Sequence, residues 1–185
     1  MKMGLSTQDV PTTQRTTLGL YVTPTEAYTM WQANPEGVTV LDVRSFEEYV
    51  FDGHPHMARN VPLAYLKFER PDEAAAPAAP VPGQLPPGFT VHPNLDFIRE
   101  VQRYRGSDET ILVMCAAGGR GARAVDVLAR AGFTKVYNIV NGFDGELVMD
   151  PADPNFLMNK DNGTGWKAAG LPWGRDLNPD LLWEN

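Results

Sequence analysis

The fold of this chain is decided by residues 110–133, which read TILVMCAAGGRGARAVDVLARAGF. The run from Ile111 to Met114 is apolar and includes β-branched residues, which is typical of a buried strand. It ends at Cys115, the only cysteine of the chain, and a glycine-containing loop follows. After the loop, small and apolar residues recur at the spacing of one helix face, at Ala124, Val127, Leu128 and Ala131. The stretch therefore predicts a strand, a loop and a helix, with the cysteine at the end of the strand.

The segments on both sides repeat this alternation of short apolar runs and helical patterns. Further strands are predicted over residues 18–22, 38–43 and 135–140. Two capping boxes predict helix starts, one from Thr23 to Glu26 and one from Ser45 to Glu48. A third helix is predicted between a cap at Asn94 and a stop at Gly106. The alternation predicts an α/β fold with three layers, a central, mainly parallel sheet with helices on both faces.

A length of 185 residues favours one domain with a self-sufficient core. We expect a polar N-terminal extension over residues 1–17, the domain over 18–145 and a C-terminal tail over 146–185. The tail is expected to pack on the domain through Trp166, Leu171 and Trp173. Residues 71–91 are rich in proline and alanine, which indicates an extended surface insertion. A lid or a docking loop is the functional alternative for that insertion.

The composition excludes several classes of protein. The net charge of −7 argues against nucleic acid or an acidic membrane surface as the partner. No apolar stretch reaches the roughly 20 residues that cross a bilayer, and the N-terminus lacks the apolar core of a secretory signal. We therefore expect a soluble cytoplasmic protein, or a periplasmic one if a leader has been removed. One cysteine excludes an internal disulfide, and His54 and His56 lack a convincing third ligand, so neither a metal nor a cofactor is expected.

A lone cysteine is usually a small buried hydrophobe, but three features favour a nucleophile at Cys115. It ends a strand at the sheet edge where α/β folds bind ligands, Gly118 and Gly119 allow a tight loop, and a helix N-terminus follows. Lowering the pKa of a thiol by two units takes about 2.7 kcal/mol. A helix terminus supplies about 0.3–2 kcal/mol and a charge-assisted N–H bond about 1.5–3 kcal/mol. The loop is thus predicted to hold a thiolate without a histidine base, and Arg120 and Arg123 are expected to point toward it.

Three segments, in register and in order, resemble the rhodanese sulfurtransferases. CAAGGRGARA at residues 115–124 resembles that family's active-site loop, usually C-R-S-G-x-R-S-x-x-A. Residues 41–62, with LDVR, EEY, GH and A-x-NVP, resemble its L-D-V-R…E-E-[YF]…G-H-I-x-G-A-x-N-[IV]-P segment. Residues 132–143 resemble its closing G-F-x-x-V-x-x-[LI]-x-G-G, so the match covers about residues 20–145. The sequence GWKAAGLPW at 165–173 is similar to the ending of some single-domain bacterial members.

The resemblance implies a rhodanese-like domain that transfers sulfur through a persulfide. The Cys115 thiolate would take sulfane sulfur from thiosulfate or a persulfide and pass it to cyanide, glutathione, another thiol or a protein acceptor. Two covalent half-reactions predict ping-pong kinetics. Ala116 and Ala117 replace a frequent arginine and a serine or lysine, which favours a less polar donor or acceptor and leaves Arg120 and Arg123 to bind an anionic donor. The family's persulfide is held by loop N–H groups, here those of Ala116, Ala117, Gly118, Gly119 and Arg120.

Three further residues are predicted to support the site. Asp42 and Arg44 follow a buried strand to the same sheet edge and are interpreted as members of a structural ion pair, with Arg44–Glu48 as the pairing considered. A position of Asp42 at the rim of the pocket is the functional alternative. His54 is predicted to support a loop through hydrogen bonds.

Two other functions stay open from sequence. A cysteine phosphatase or arsenate reductase would need Cys-x5-Arg, but the arginine comes one residue early, at Arg120, and Gly121 stands in its place. The shorter loop suits a sulfur atom better than a phosphate. A persulfide carrier or a sulfur-relay or sensing module that does not turn over is the second alternative, because retention of Cys115 fits it as well as an enzyme.

Overall fold

The computed structural model describes residues 4–69, 88–149, 157–159 and 164–183. Its strands, numbered in chain order, are Tyr21–Val22 (β1), Val38–Asp42 (β2), Arg59–Asn60 (β3), Ala64–Phe68 (β4), Phe89–Pro93 (β5), Thr110–Met114 (β6), Val136–Ile139 (β7), Leu147–Met149 (β8) and Leu157–Asn159 (β9). Five of them form a parallel sheet in the order β1-β7-β6-β2-β3. The strand that precedes Cys115 is therefore the middle strand of the sheet.

Helices cover both faces of this sheet, as the sequence predicts. They are Pro24–Ala33 (α1), Phe46–Asp52 (α2), Phe97–Gln102 (α3) and Gly119–Arg130 (α4). Alternate residues of β6 enter two cores: Ile111 and Val113 pack with residues of α3 and α4, whereas Leu112 and Met114 pack with residues of α1 and α2. This period of two follows from the pleat of a strand that is buried on both faces. The structure thus confirms the α/β fold with a mainly parallel central sheet.

The local helix signals in the sequence are confirmed at two helices and shifted at a third. Both capping boxes form, from Thr23 to Glu26 and from Ser45 to Glu48, with reciprocal bonds between cap and glutamate. The predicted cap at Asn94 is wrong by two residues, because α3 begins after Asp96 and Asn94 instead accepts a bond from the Asp96 N–H. The predicted strand over 18–22 is reduced to Tyr21–Val22.

An antiparallel hairpin of β4 and β5 lies outside the main sheet. The predicted insertion over 71–91 falls partly on it: residues 71–87 lie outside the described residues, and Phe89–Val91 belong to β5. These last residues are extended and largely exposed at the surface, and the interpretation of residues 71–91 as one insertion stays a prediction. Alternation in this strand is weak, because its apolar residues are largely exposed.

The N-terminal segment and the tail both pack on the domain. Val10 and Gln14 of the N-terminal segment are buried. In the tail, Trp166 is fully buried, Leu171 is partly buried, and Trp173 meets the Phe143 ring edge-on while staying 37% exposed. The tail also contains the short antiparallel pair β8–β9, which the sequence did not suggest. None of the helices in the described ranges is long and apolar enough to cross a membrane.

Candidate active site around Cys115

Cys115 follows directly on the middle strand of the parallel sheet and lies at its carboxyl edge. Its side chain is 2% exposed and borders the core between the sheet and α4. Burial alone fits the interpretation as a small hydrophobe. The polar groups of the loop that follows bear on whether the sulfur is also placed to act as a nucleophile.

The loop after Cys115 curls back so that a backbone amide faces the sulfur. The N–H of Gly118 donates to Cys115 Sγ, with 3.1 Å between nitrogen and sulfur. Gly118 has a φ of +89°, a conformation that glycine adopts readily, and it is the N-cap of α4. The sulfur therefore sits at the start of a 12-residue helix, where the partial positive charge of the helix terminus favours an anion.

A tight turn after β7 is hydrogen-bonded to the backbone of the Cys115 loop. The N–H of Phe143 donates to the Cys115 carbonyl and the N–H of Asp144 donates to the Ala116 carbonyl, both at 2.8 Å. Between the two elements lies Gly142, with a φ of +55°, and a Cβ there would overlap the Cys115 carbonyl oxygen. Only glycine fits this approach of two backbones.

The N-terminal segment clamps the same turn from the other side. Gln14 makes two bonds to Asn141: its Nε2 donates to Asn141 Oδ1 at 2.9 Å, and its Oε1 accepts from the Asn141 N–H at 2.8 Å. The Asn138 amide nitrogen donates to the Gln14 carbonyl at 3.0 Å and to the Gly118 carbonyl at 3.2 Å. Gln14 and Asn138 are both buried. This polar clamp, defined as Gln14, Asn138 and Asn141, holds the carbonyl of Gly118, the residue whose N–H faces the sulfur.

Arg120, in the first turn of α4, is held by Glu48 of α2. Its two terminal nitrogens donate to the two carboxylate oxygens of Glu48 at 2.6 and 2.5 Å. Burial raises the pKa of Glu48, but the hydrogen bond and charge of Arg120 outweigh it and hold that pKa below its ordinary value. The pKa of Arg120 is raised, first by the bond to Glu48 and, in smaller part, by the charges of Cys115 and Asp42. Arg120 is thus close enough to sense a charge on Cys115, while its hydrogen bonds are engaged by Glu48.

Asp42 and Arg44 form a separate ion pair that is completely buried. Arg44 Nη2 lies 2.6 Å from Asp42 Oδ2, and neither side chain is exposed to solvent. Nη2 also donates to the Gly53 carbonyl, and the guanidinium lies 4.3 Å from the centre of the Phe143 ring. Burial lowers the pKa of Arg44, whereas the charge and hydrogen bonds of Asp42 raise it. The upward contributions together outweigh burial, so the pKa of Arg44 lies above its ordinary value.

Two expectations about these residues are corrected. The pairing of Arg44 with Glu48 is wrong, because Arg44 binds Asp42 and Glu48 binds Arg120. The position of Asp42 at the pocket rim is also wrong, because its carboxylate is buried in the ion pair next to β6, where Asp42 is in register with Met114.

His54 lies where a supporting residue was predicted. It is buried and stacks on the Tyr49 ring, with 3.6 Å between ring centres. Its Nδ1 lies 2.9 Å from the Tyr49 carbonyl oxygen, and its backbone pairs with Gly174 of the tail. Within the described residues, no group of three or more His, Cys, Asp or Glu side chains is arranged to hold a metal ion.

Arg123, one turn after Arg120 in α4, lines a different cavity. It is exposed and lines a cavity with Phe97 and Ile98 of α3 and with Asp126 of α4. Its contribution to donor binding, like that of the loop amides of Ala116, Ala117 and Gly119, stays a prediction. The residues that sequence reasoning missed are those of the polar clamp, together with Gly142. The Asn-Gly dipeptide at 141–142 was the available signal, since it marks a tight turn.

Comparisons with known proteins agree with this architecture. A model of the rhodanese-like domain family matches residues 23–145. Thiosulfate sulfurtransferase 16 of Arabidopsis thaliana chloroplasts is 35% identical over 107 residues, which are 58% of this chain and 72% of the relative. Uncharacterized protein RP600 of Rickettsia prowazekii (strain Madrid E) is 28% identical over 149 residues, 80% of this chain and 92% of the relative.

A solved structure agrees as well. The crystal structure of Rv0390 from M. tuberculosis superposes with a TM-score of 0.56 at 25% identity, over 83% of this chain and 96% of the other. The family model covers well over half of the chain, and the matched residues contain the strand, the Cys115 loop and both ion pairs. This chain belongs to the rhodanese-like domain family.

Proposed function

We propose that this protein is a sulfurtransferase that carries sulfane sulfur as a persulfide on Cys115. Membership of the family and the similarity to a protein named thiosulfate sulfurtransferase support sulfur transfer as the class of reaction. The observation that carries the proposal is the bond from the Gly118 N–H to Cys115 Sγ at the N-terminus of α4. A group that donates to the sulfur favours its anionic form, which is the nucleophile.

In the first half-reaction, the Cys115 thiolate attacks the outer sulfur of a donor such as thiosulfate. A sulfur–sulfur bond forms at Sγ, the sulfur–sulfur bond of thiosulfate breaks, and sulfite leaves with the electron pair. In the second, a nucleophilic acceptor takes the outer sulfur and Cys115 leaves as a thiolate. Each step conserves charge and needs no external oxidant.

The test measures loading and turnover separately. Thiosulfate should increase the intact mass of the protein by one sulfur atom, and cyanide should then remove that atom as thiocyanate. Cys115→Ser should show neither change, while its circular dichroism and unfolding midpoint stay close to those of the wild type. Thiocyanate production by Cys115→Ser at the wild-type rate would contradict the proposal. Loading without turnover against any acceptor would instead identify a carrier.

A further inference from the structure

An apolar groove opens beside the Cys115 loop, between the β4–β5 hairpin and the start of α2. Its volume is about 460 Å³, within the range of about 300–1,000 Å³ that is usual for small-molecule sites. One wall is the Glu48–Arg120 ion pair. The opposite wall is formed by hairpin side chains, chiefly Tyr65, Leu66, Phe89 and Val91.

The groove is connected to the Cys115 loop through the sheet and through Arg120. Strand β2 lies next to β6, and just beyond it the Val43 N–H donates to the Met114 carbonyl at 2.8 Å. The Leu63 N–H in turn donates to the Val43 carbonyl at 3.1 Å, one residue before the hairpin begins. Two hydrogen bonds therefore connect the residue before Cys115 to the residue before β4. Arg120, five residues after Cys115, completes the wall nearest the loop.

The hairpin wall of the groove exposes several large apolar side chains. Leu66 is 48% exposed, Phe89 40% and Val91 61%, and all three line the same groove. Contiguous exposed apolar patches on soluble domains usually mark binding sites. The charged groups of the groove are Glu47, Glu48 and Arg120, which leave a net negative charge, so the groove disfavours anionic ligands.

We infer that this groove binds the apolar body of an organic thiol that accepts the sulfur from Cys115. The inference rests on the proposed function and names its acceptor class: alkyl or aryl thiols without a carboxylate. The volume suits a small molecule, the wall is apolar, and the end with Arg120 lies toward the loop. An anionic acceptor such as glutathione gains nothing from these walls.

The transfer balances without a further reactant. The acceptor thiolate attacks the outer sulfur of the Cys115 persulfide, and a new sulfur–sulfur bond forms on the acceptor. The bond between Sγ and the outer sulfur breaks, and its electron pair stays on Cys115 as a thiolate. The acceptor becomes a persulfide, and Cys115 returns to its thiolate form.

The experiment uses the full chain, loaded with thiosulfate, and a series of straight-chain thiols from ethanethiol to hexanethiol, with cyanide and glutathione for comparison. We expect kcat/KM to rise about fourfold for each added methylene until the groove is filled. Leu66→Ser and Val91→Thr, the second nearly isosteric, should each flatten this rise and leave the rate with cyanide unchanged. Leu95→Ser is the matched control, because Leu95 is 91% exposed and does not line the groove.

The outcomes distinguish a failure of the inference about the groove from a failure of the proposed function. No dependence on chain length, or an equal loss of rate with cyanide in the groove variants, overturns the inference about the groove. A protein that transfers sulfur to cyanide but prefers glutathione over every alkyl thiol also overturns it, while the proposed function stands. A protein that forms no persulfide overturns the proposed function itself.

Discussion

The two sides of the Cys115 loop differ in chemistry. Behind the loop, the polar clamp is buried and hydrogen-bonded, and Gly142 brings two backbones into contact. In front of it, the β4–β5 hairpin exposes apolar side chains, and the Glu48–Arg120 ion pair of α2 and α4 lies across the groove from them. Buried polar networks specify one geometry, because each broken bond leaves a costly unpaired group. The back of the loop therefore fixes where the sulfur lies, whereas the front has no comparable buried polar network.

Substitution of Gly142 should have the largest effect, because it disturbs the buried side of the Cys115 loop. In Gly142→Ala, the new methyl group would overlap the Cys115 carbonyl, and the positive φ adds strain. We expect about 3 kcal/mol of destabilisation and about a hundredfold slower persulfide formation, because a shift of about 1 Å at the reacting group has that effect. Urea unfolding measures the loss of stability, and a time course of persulfide loading by mass spectrometry measures the rate.

Gly170→Ala is the matched control for that variant. Gly170 also has a positive φ, of +68°, but a Cβ there meets nothing within 4 Å. It should cost about 1 kcal/mol of stability and leave loading unchanged. Equal effects of the two substitutions on loading would show that backbone strain, and not the position of the loop, controls the rate.

Removing the clamp should have an intermediate effect. Gln14→Ala deletes both side-chain bonds to Asn141 and leaves the partly buried Asn141 N–H without this partner. We expect about 2 kcal/mol of destabilisation and about a tenfold lower kcat with little change in KM, since the clamp does not line the groove. The control is Gln8→Ala in the same segment, where the side chain is exposed. A change confined to KM would place Gln14 in ligand binding instead.

The ion pair on the front side should matter least for stability. Glu48→Gln removes a partly exposed charge pair, which is worth about 1 kcal/mol at neutral pH. Because the folded-state pKa of Glu48 lies below its ordinary value of 4.5, this contribution is complete well above pH 4.5 and is lost as the pH falls through the folded-state pKa. The urea midpoints of the wild type and the variant should therefore converge once the pH has fallen below the folded-state pKa of Glu48.

Glu47→Gln provides the comparison for that titration, because Glu47 lies in the same first helical turn and is exposed. It should change the unfolding free energy by less than Glu48→Gln at neutral pH. A difference between Glu48→Gln and the wild type that persists in acid would mean that the side-chain shape, and not its charge, supports α2.

Local patterns in the sequence predicted most of the fold because their causes are local. The capping boxes at Thr23 and Ser45 and the strand, loop and helix around Cys115 each depend on residues within one or two turns. Those signals need no knowledge of the tertiary structure, and they were confirmed. The α/β class followed from their alternation.

The partners within the site were less predictable because they are distant in sequence. Arg120 and Glu48 are separated by 72 positions, and Gln14 and Asn141 by 127. Two carboxylates, Asp42 and Glu48, stood at plausible spacings from Arg44, and spacing alone did not choose between them. Only the folded chain brings the start of α2 and the start of α4 together at the carboxyl edge of the sheet, where Glu48 meets Arg120 and Asp42 is left for Arg44.

The turn at Asn141 and Gly142 is bonded by two segments that lie beyond the residues matched by the family model. Gln14 precedes that match, and Trp166, whose N–H donates to the Gly142 carbonyl at 3.0 Å, follows it. A fragment cut at residues 23 and 145 would keep the three segments that resemble the family's motifs and still lose both of these bonds. We therefore expect the residues that hold Cys115 in place to extend beyond the range matched by the family model, on both sides.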